Sequence, residues 1–315
     1  MDYLGLSLLL LSGLVLGVVL LAVHTARTLT RPPRRSYAFA VARGLPADPG
    51  ELVFTDASGV EHRGISFDSY AFRSRGLDLP VWDMRGLDPL GPVVVVSHGW
   101  GDSRVVSLVR APELLERCSR LVLWDMPGHA DAPGTCSLGV REPEDLAALL
   151  DALPSLRGPV VLYGHSLGAG VAIEAGARLG PQRVRAVIAE APYARPPTPA
   201  RNVLRMARLP YRLNLPVAMA VLRPRFDRAA RAADLRVPLL VLHGERDAVC
   251  PMADARAIAG SAPDGTLAVI PAGGHVDLYA DPRFRDGVRG ALGPFFQRLR
   301  ISAPAGVAPV PHPTR

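Results

Sequence analysis

The chain has 315 residues, 49 % of them hydrophobic, and a formal net charge of +7 carried by arginine alone, because lysine does not occur. So much apolar side chain supports a sizeable core and excludes global disorder. The positive charge brings no zinc-finger spacing, no basic stretch interleaved with aromatics and no basic tail, so no nucleic-acid partner is expected.

The first element in chain order is "LGLSLLLLSGLVLGVVLLAV", residues 4–23, which carries no charge. As a helix rising ~1.5 Å per residue it spans roughly 30 Å, the thickness of a bilayer core. A cleavable signal peptide has a basic front, a shorter apolar stretch and a small-residue exit. Here the front carries Asp2 and the exit reads "HTARTL". An uncleaved transmembrane anchor over residues 1–23 is therefore expected, with a connector over 24–50. Arg27, Arg31, Arg34 and Arg35 all follow the apolar stretch, so the positive-inside rule predicts a single-pass protein with its bulk in the cytoplasm. Three scattered cysteines, Cys118, Cys136 and Cys250, form no disulfide framework and suit a reducing compartment.

Folded structure is expected from "ELVFTDASGVEHRGISF", where "DASG" reads as a turn between strands, and "LPVWDMRG" reads as another strand. A different rhythm follows. "PVVVVSHG", "RLVLWDMPG", "PVVLYGHS", "VRAVIAEAP", "VPLLVLHGERD" and "GTLAVIPAGGH" are apolar runs suited to strands buried on both faces. "EDLAALLDAL", "LGAGVAIEAGARL" and "RDGVRGALGPFFQRL" read as helices between and after them. Strands alternating with helices predict an α/β fold with a mostly parallel central sheet and helices on both faces. Residues from about 194 to 235, rich in proline and arginine, break the rhythm and are read as a short inserted cap on a domain covering 51–300. In "RNVLRMAR", Arg201, Arg205 and Arg208 are spaced to share one helix face. The Ala/Pro-rich residues 301–315 are expected to form a flexible tail.

In such sheets functional groups gather beyond the carboxyl ends of the strands. The apolar runs end in "SHGWGD", "GHSLG", "HGERD" and "GGH". Gly164-His165-Ser166-Leu167-Gly168 has the form G-x-S-x-G between a buried strand and a small-residue helix. That context strains the serine backbone and exposes its hydroxyl at the strand tip. A serine needs a base to take its proton and an acid to orient the base. This topology places them in the order Ser, acid, His. Asp247 and His275 satisfy it, with Glu190 and Glu245 as the other candidate acids. His98, His129 and His165 fall on the wrong side of the acid and are read as shaping loops, and His243 as bonding locally. An oxyanion needs two fixed donors. The backbone N–H groups of Leu167 and Trp100 are the candidates. No H-E-x-x-H or comparable cluster appears, so neither a metal nor a cofactor is expected.

These stretches, "VVVVSHGWGD", "LVLWDMPGHADAP", "VVLYGHSLGAGVAI", "LLVLHGERDAVCP" and "GGHVD", resemble the α/β-hydrolases over roughly residues 50–300. The likeness is to the serine aminopeptidase and monoacylglycerol-lipase branch and to small membrane-anchored bacterial hydrolases. It implies hydrolysis of esters, thioesters or amides, with Ser166, Asp247 and His275 as the catalytic group. The loop "MPGHADAPG" departs from the family pattern. The leading expectation is a membrane-tethered serine esterase acting on a small-molecule or lipid-like acyl ester or thioester. An aminopeptidase or amidase on the same residues, and a non-catalytic binding protein on the same fold, are the alternatives.

Overall fold

The protein is represented by a computed structural model, which describes residues 3–224 and 226–301. The tail expected beyond them lies outside the described residues. The chain opens with a 28-residue helix, α1 (Tyr3–Thr30), whose apolar part has mean hydropathy 2.8 and is 6 % buried. The helix runs past the uncharged stretch as far as Thr30. It is long and apolar enough to cross a membrane, a test that a signal sequence also passes.

A short helix α2 (Tyr37–Ala42) and the strands β1 (Val53–Thr55), β2 (Glu61–Arg63), β3 (Phe67–Ser74), β4 (Leu77–Arg85) and β5 (Val93–Ser97) follow. Next come α3 (Arg104–Ser107), α4 (Ala111–Leu115), β6 (Arg120–Trp124), α5 (Glu142–Ala152), β7 (Val160–His165), α6 (Leu167–Leu179) and β8 (Val184–Glu190). Between β8 and β9 (Leu239–Gly244) the chain makes α7 (Pro197–Met206), α8 (Asn214–Leu222) and α9 (Arg228–Ala232), within the stretch read as a cap. The strand β10 (Gly265–Ile270) is preceded by α10 (Met252–Ser261) and followed by α11 (Arg285–Ile301). β1 and β2 pair around the "DASG" turn as a separate hairpin.

The main sheet has eight strands in the order β10-β9-β8-β7-β5-β6-β4-β3. Its first six members pair in parallel, and β4 and β3 close one edge antiparallel. Because side chains alternate across a strand, Val95 and Leu162 enter one core while Val94, Val96 and Val161 enter the other. Helix α6 lies close on the sheet because it is made of small residues. A Cβ at Gly176 would come within 2.7 Å of a Val187 methyl. Strand order reverses between β5 and β7, which opens a crevice at their carboxyl ends.

The segment between β8 and β9 is held down by charge. Glu174 of α6 accepts from Arg228 at 2.6 Å and Arg231 at 2.9 Å, and Arg228 is 1 % exposed. Arg201 and Arg205 lie on α7, but Arg208 falls beyond its end with φ +56°, so the three arginines do not form one helical face. The helical spacing fails there because α7 stops at Met206.

Candidate active site

Ser166 sits between the last residue of β7 and the first of α6, at φ +51° and ψ −107°. This backbone conformation is disfavoured for any residue with a Cβ. Two glycines make the turn possible. A Cβ at Gly164 would lie 2.1 Å from the Gly168 carbonyl oxygen, and a Cβ at Gly168 would lie 2.0 Å from that of Ser97. Strands β5 and β7 align Ser97 with Gly164, so the loop after β5 and the serine turn meet at the crevice.

Asp247 and His275 arrive from the loops after β9 and β10, which are neighbours in the sheet. Asp247 Oδ2 is 2.7 Å from His275 Nδ1, and His275 Nε2 is 3.2 Å from Ser166 Oγ. The other Asp247 oxygen accepts from the backbone N–H groups of Val249 and Cys250, both at 2.8 Å. Burial alone would raise the Asp247 pKa. The hydrogen bond and charge of His275, with the Cys250 N–H, outweigh it and hold the carboxyl below its usual value. The carboxylate is thus ionised at neutral pH and accepts a proton bond from Nδ1. Leu167 is the first residue of α6, so its N–H belongs to the helix turn that lacks intrahelical acceptors. The arrangement joins a hydroxyl, an imidazole and an ionised carboxylate in one hydrogen-bonded line, at a helix N-terminus.

A model of the alpha/beta hydrolase family matches residues 93–285, the segment that holds every one of these groups. The chain belongs to the alpha/beta hydrolase family. Its fold is shared with the Pyrococcus furiosus esterase Pf2001 at a TM-score of 0.62, with 20 % identity over 74 % of this chain and 91 % of that one. It is also shared with a bacterial membrane phospholipase A, at a TM-score of 0.59 and 18 % identity, over 96 % of this chain and 100 % of the other. The biotin biosynthesis bifunctional protein BioHC of Cellvibrio japonicus is 29 % identical over 236 residues, 61 % of this chain. The match spans 45 % of that relative, so this chain corresponds to less than half of its length.

The other candidate acids of this hydrolase are engaged elsewhere. Glu190 is buried and bound by Arg110 at 2.5 and 3.0 Å and by the Tyr163 hydroxyl at 2.7 Å. Burial would raise its pKa, but the charges of Arg110 and His165 and these hydrogen bonds keep it below the usual carboxylate value. Its backbone carbonyl accepts from the Ser166 N–H at 2.8 Å. Glu245 accepts from the Ala272 N–H at 2.9 Å and caps a loop. His98, His165 and His243 bond to backbone groups of neighbouring loops. His98 accepts from the Met126 N–H at 3.0 Å, and burial pushes its pKa down to about 3. His165 Nε2 meets the His275 carbonyl at 3.1 Å, and His243 Nε2 meets the Cys250 carbonyl at 3.0 Å.

Several participants escaped sequence reasoning. The Cys250 thiol is fully buried beside the Ser166 hydroxyl, and burial pushes its pKa well up. It lies within 4.8 Å of the ligand atoms of Asp247 and His275, one metal-capable group among the described residues and part of the same site. Asp102 accepts from Arg35 at 3.1 Å and faces His165 Nδ1 at 3.6 Å. Most telling is a contact of Trp100, expected above only for its backbone N–H: its indole N–H donates at 2.8 Å to the carbonyl of Leu29, at the end of α1. Cys136 N–H donates to the next carbonyl, Thr30, at 2.9 Å. The last turn of the apolar helix is therefore capped by two loops, one of which, the loop after β5, meets the serine turn. The only sequence signal was proximity of "SHGWGD" to a strand end, which says nothing of a partner seventy residues upstream.

Proposed function

We propose that this hydrolase cleaves carboxylic esters or thioesters of acyl substrates through an acyl-enzyme on Ser166, while tethered to a membrane by α1. The observation that carries the reading is the continuous line from Ser166 Oγ through His275 to Asp247 at 3.2 and 2.7 Å. With Asp247 accepting from Nδ1–H, the lone pair of His275 is on Nε2, facing the serine hydroxyl. His275 takes the Ser166 proton as Oγ attacks the carbonyl carbon. The negative oxygen of the tetrahedral intermediate is met by the N–H groups of Trp100 and Leu167, each typically contributing about 2.7–4 kcal/mol in such sites. The imidazolium then gives its proton to the leaving alkoxide or thiolate. Water, activated by the same nitrogen, releases the acid and restores the hydroxyl.

Ester chemistry is favoured over an aminopeptidase. A free amine needs an unpaired carboxylate, and the buried carboxylates Asp102 and Glu190 are paired with Arg35 and Arg110. Both structural relatives named above, an esterase and a membrane phospholipase A, are ester hydrolases. The arginines flanking the C-terminal end of α1 favour a cytoplasmic catalytic domain. The test uses the full chain in detergent micelles, with a fluorophosphonate probe and p-nitrophenyl esters of increasing chain length. Ser166→Ala is expected to lose both labelling and turnover. Wild-type turnover in that variant would overturn the mechanism.

A further inference from the structure

The chain between α1 and α2 meets the loops around Ser166 at a series of fixed points. Pro33 packs on Gly101, which has φ +71° and where a Cβ would lie 3.4 Å from Pro33 Cγ. Arg34 Nη1 donates to the Ala130 carbonyl at 3.0 Å. Arg35 Nη1 donates to Asp102 Oδ1 at 3.1 Å, and its guanidinium lies over the Phe39 ring of α2, 5.3 Å from the centroid. Asp102 is buried, whereas the Arg35 side chain is 40 % exposed. The Asp102 N–H donates to the Gly99 carbonyl at 3.1 Å and closes the turn 99–102. Trp100, whose N–H is read as an oxyanion donor, lies inside that turn. Pinning Asp102 from the connector therefore pins the turn.

The inner side of the same turn rests on His165. A Cβ at Gly99 would fall 2.8 Å from His165 Nδ1, so the backbone of the turn lies against the ring. Asp102 Oδ2 is 3.6 Å from that nitrogen. At the opposite edge of the ring, Nε2 is 3.1 Å from the His275 carbonyl oxygen. A carbonyl only accepts, so Nε2 carries a proton and donates. The His165 and His275 rings lie with their centroids 5.2 Å apart. His165 is 3 % exposed and directly precedes Ser166. One buried ring thus stands between the turn that carries Trp100 and the loop that carries His275, and its own backbone runs into the nucleophile.

We propose that Arg35, Asp102 and His165 form a positioning clamp that holds the oxyanion donor and the base in register with Ser166. Arg35 fixes the turn 99–102 from outside, and His165 sets its distance from the His275 loop inside. The three act through the backbone around Trp100 and His275. Register matters because a displacement of ~1 Å in a catalytic group costs on the order of 10²-fold in rate. Arg35 lies outside residues 93–285, the segment matched to the family, so the clamp gives the connector after α1 a part in catalysis separate from any tethering. The inference rests on the reading of Ser166, His275 and the Trp100 N–H as catalytic groups, and deepens it.

The test measures steady-state hydrolysis of a p-nitrophenyl ester by the full chain in detergent, with thermal unfolding as the check on folding. An exposed ion pair adds little to stability, so Arg35→Gln should fold. It should lower kcat about tenfold, with KM changed by less than about twofold. Arg35→Lys keeps a cation for a contact made by one guanidinium nitrogen and should recover most of the loss. His165→Phe fills the space without a donor and should lose on the order of 10²-fold in kcat. His165→Gln, which keeps an N–H for the His275 carbonyl, should lose less. The second readout is an alkyl boronic acid, whose boron bonds Ser166 Oγ while the serine proton passes to His275, giving a tetrahedral adduct. Its inhibition constant should rise in Arg35→Gln in proportion to the loss of kcat, because both need the oxyanion donors in register and KM does not. An Arg35→Gln kcat within about twofold of the parent would overturn the clamp, whatever the His165 variants show. So would a loss that falls on KM, a boronate constant that does not move with kcat, or conservative variants, Arg35→Lys and His165→Gln, that recover nothing. A parent chain that a fluorophosphonate does not label at Ser166 would remove the catalytic reading itself, whereas a labelled parent with an unaffected Arg35→Gln variant removes only the clamp.

Discussion

Replacing Asp247 by asparagine isolates the step on which the proposed mechanism depends. One carboxylate oxygen accepts from Val249 and Cys250 N–H, both at 2.8 Å, and the other accepts from His275 Nδ1 at 2.7 Å. An asparagine has one acceptor and one donor to distribute over these places. If its oxygen keeps the two backbone N–H groups, its NH₂ faces Nδ1. The ring must then carry its proton on Nε2, which points at Ser166 and can no longer receive the serine proton. In other serine hydrolases of this design the wrong tautomer lowers kcat by ~10⁴, or about 5 kcal/mol. If the amide flips to serve His275, the NH₂ opposes two backbone donors. Losing two hydrogen bonds of ~0.5–1.5 kcal/mol each and leaving buried donors unpaired costs at least about 2 kcal/mol. The productive tautomer is then reached at a penalty of at least roughly 30-fold. Asp247→Asn should therefore reduce kcat on a p-nitrophenyl ester by roughly 30-fold to 10⁴-fold, with KM little changed. The assay is steady-state hydrolysis by the full chain in detergent, with thermal unfolding as a check on folding. A loss smaller than tenfold in a folded variant would refute the assignment of Asp247 as the orienting acid.

Glu190→Gln should act on stability instead, because it strands the buried Arg110 guanidinium. Breaking such a pair costs about 3–5 kcal/mol, to be read as a shift in denaturant midpoint at constant m-value, and a midpoint shift near zero would sink the assignment. The Glu190 pKa is depressed in the folded chain, so its stabilisation is present above the unfolded carboxylate pKa of ~4.3 and disappears as pH falls through the folded value. A midpoint gap between parent and variant that does not shrink on acidification would contradict this sign. Trp100→Phe keeps an aromatic ring of smaller size and removes the indole hydrogen bond to Leu29, about 0.5–1.5 kcal/mol. Amide exchange should quicken in the last turn of α1 and in residues 98–102 together; unchanged exchange in α1 would show that the indole bond does not hold the helix end.

Much of this protein was legible along the chain because the relevant constraints are local. Four consecutive valines before Ser97 have one stable use, a strand covered on both faces. Gly164 is required within the serine turn itself, because its Cβ would strike the Gly168 carbonyl, whereas Gly168 is required because the end of β5 passes over it at Ser97, a contact that only the sheet creates. The order of Ser166, Asp247 and His275 follows from strand succession, so the three could be named before their distances were known. Other facts depended on which segments the sheet brings together. Nothing local separates Asp247 from Glu190 as an acid. Their difference is that α4 and its preceding turn carry Arg110 under Glu190, while β10 delivers His275 to Asp247. Likewise "RNVLRMAR" promised one basic helical face, and the helix ended before Arg208 because tertiary packing, not spacing, sets helix ends. The docking of α1 on the loop beside Ser166 was least visible of all. A helix terminus must satisfy its last carbonyls with something, but only the folded chain decides that Trp100 and Cys136 are the donors.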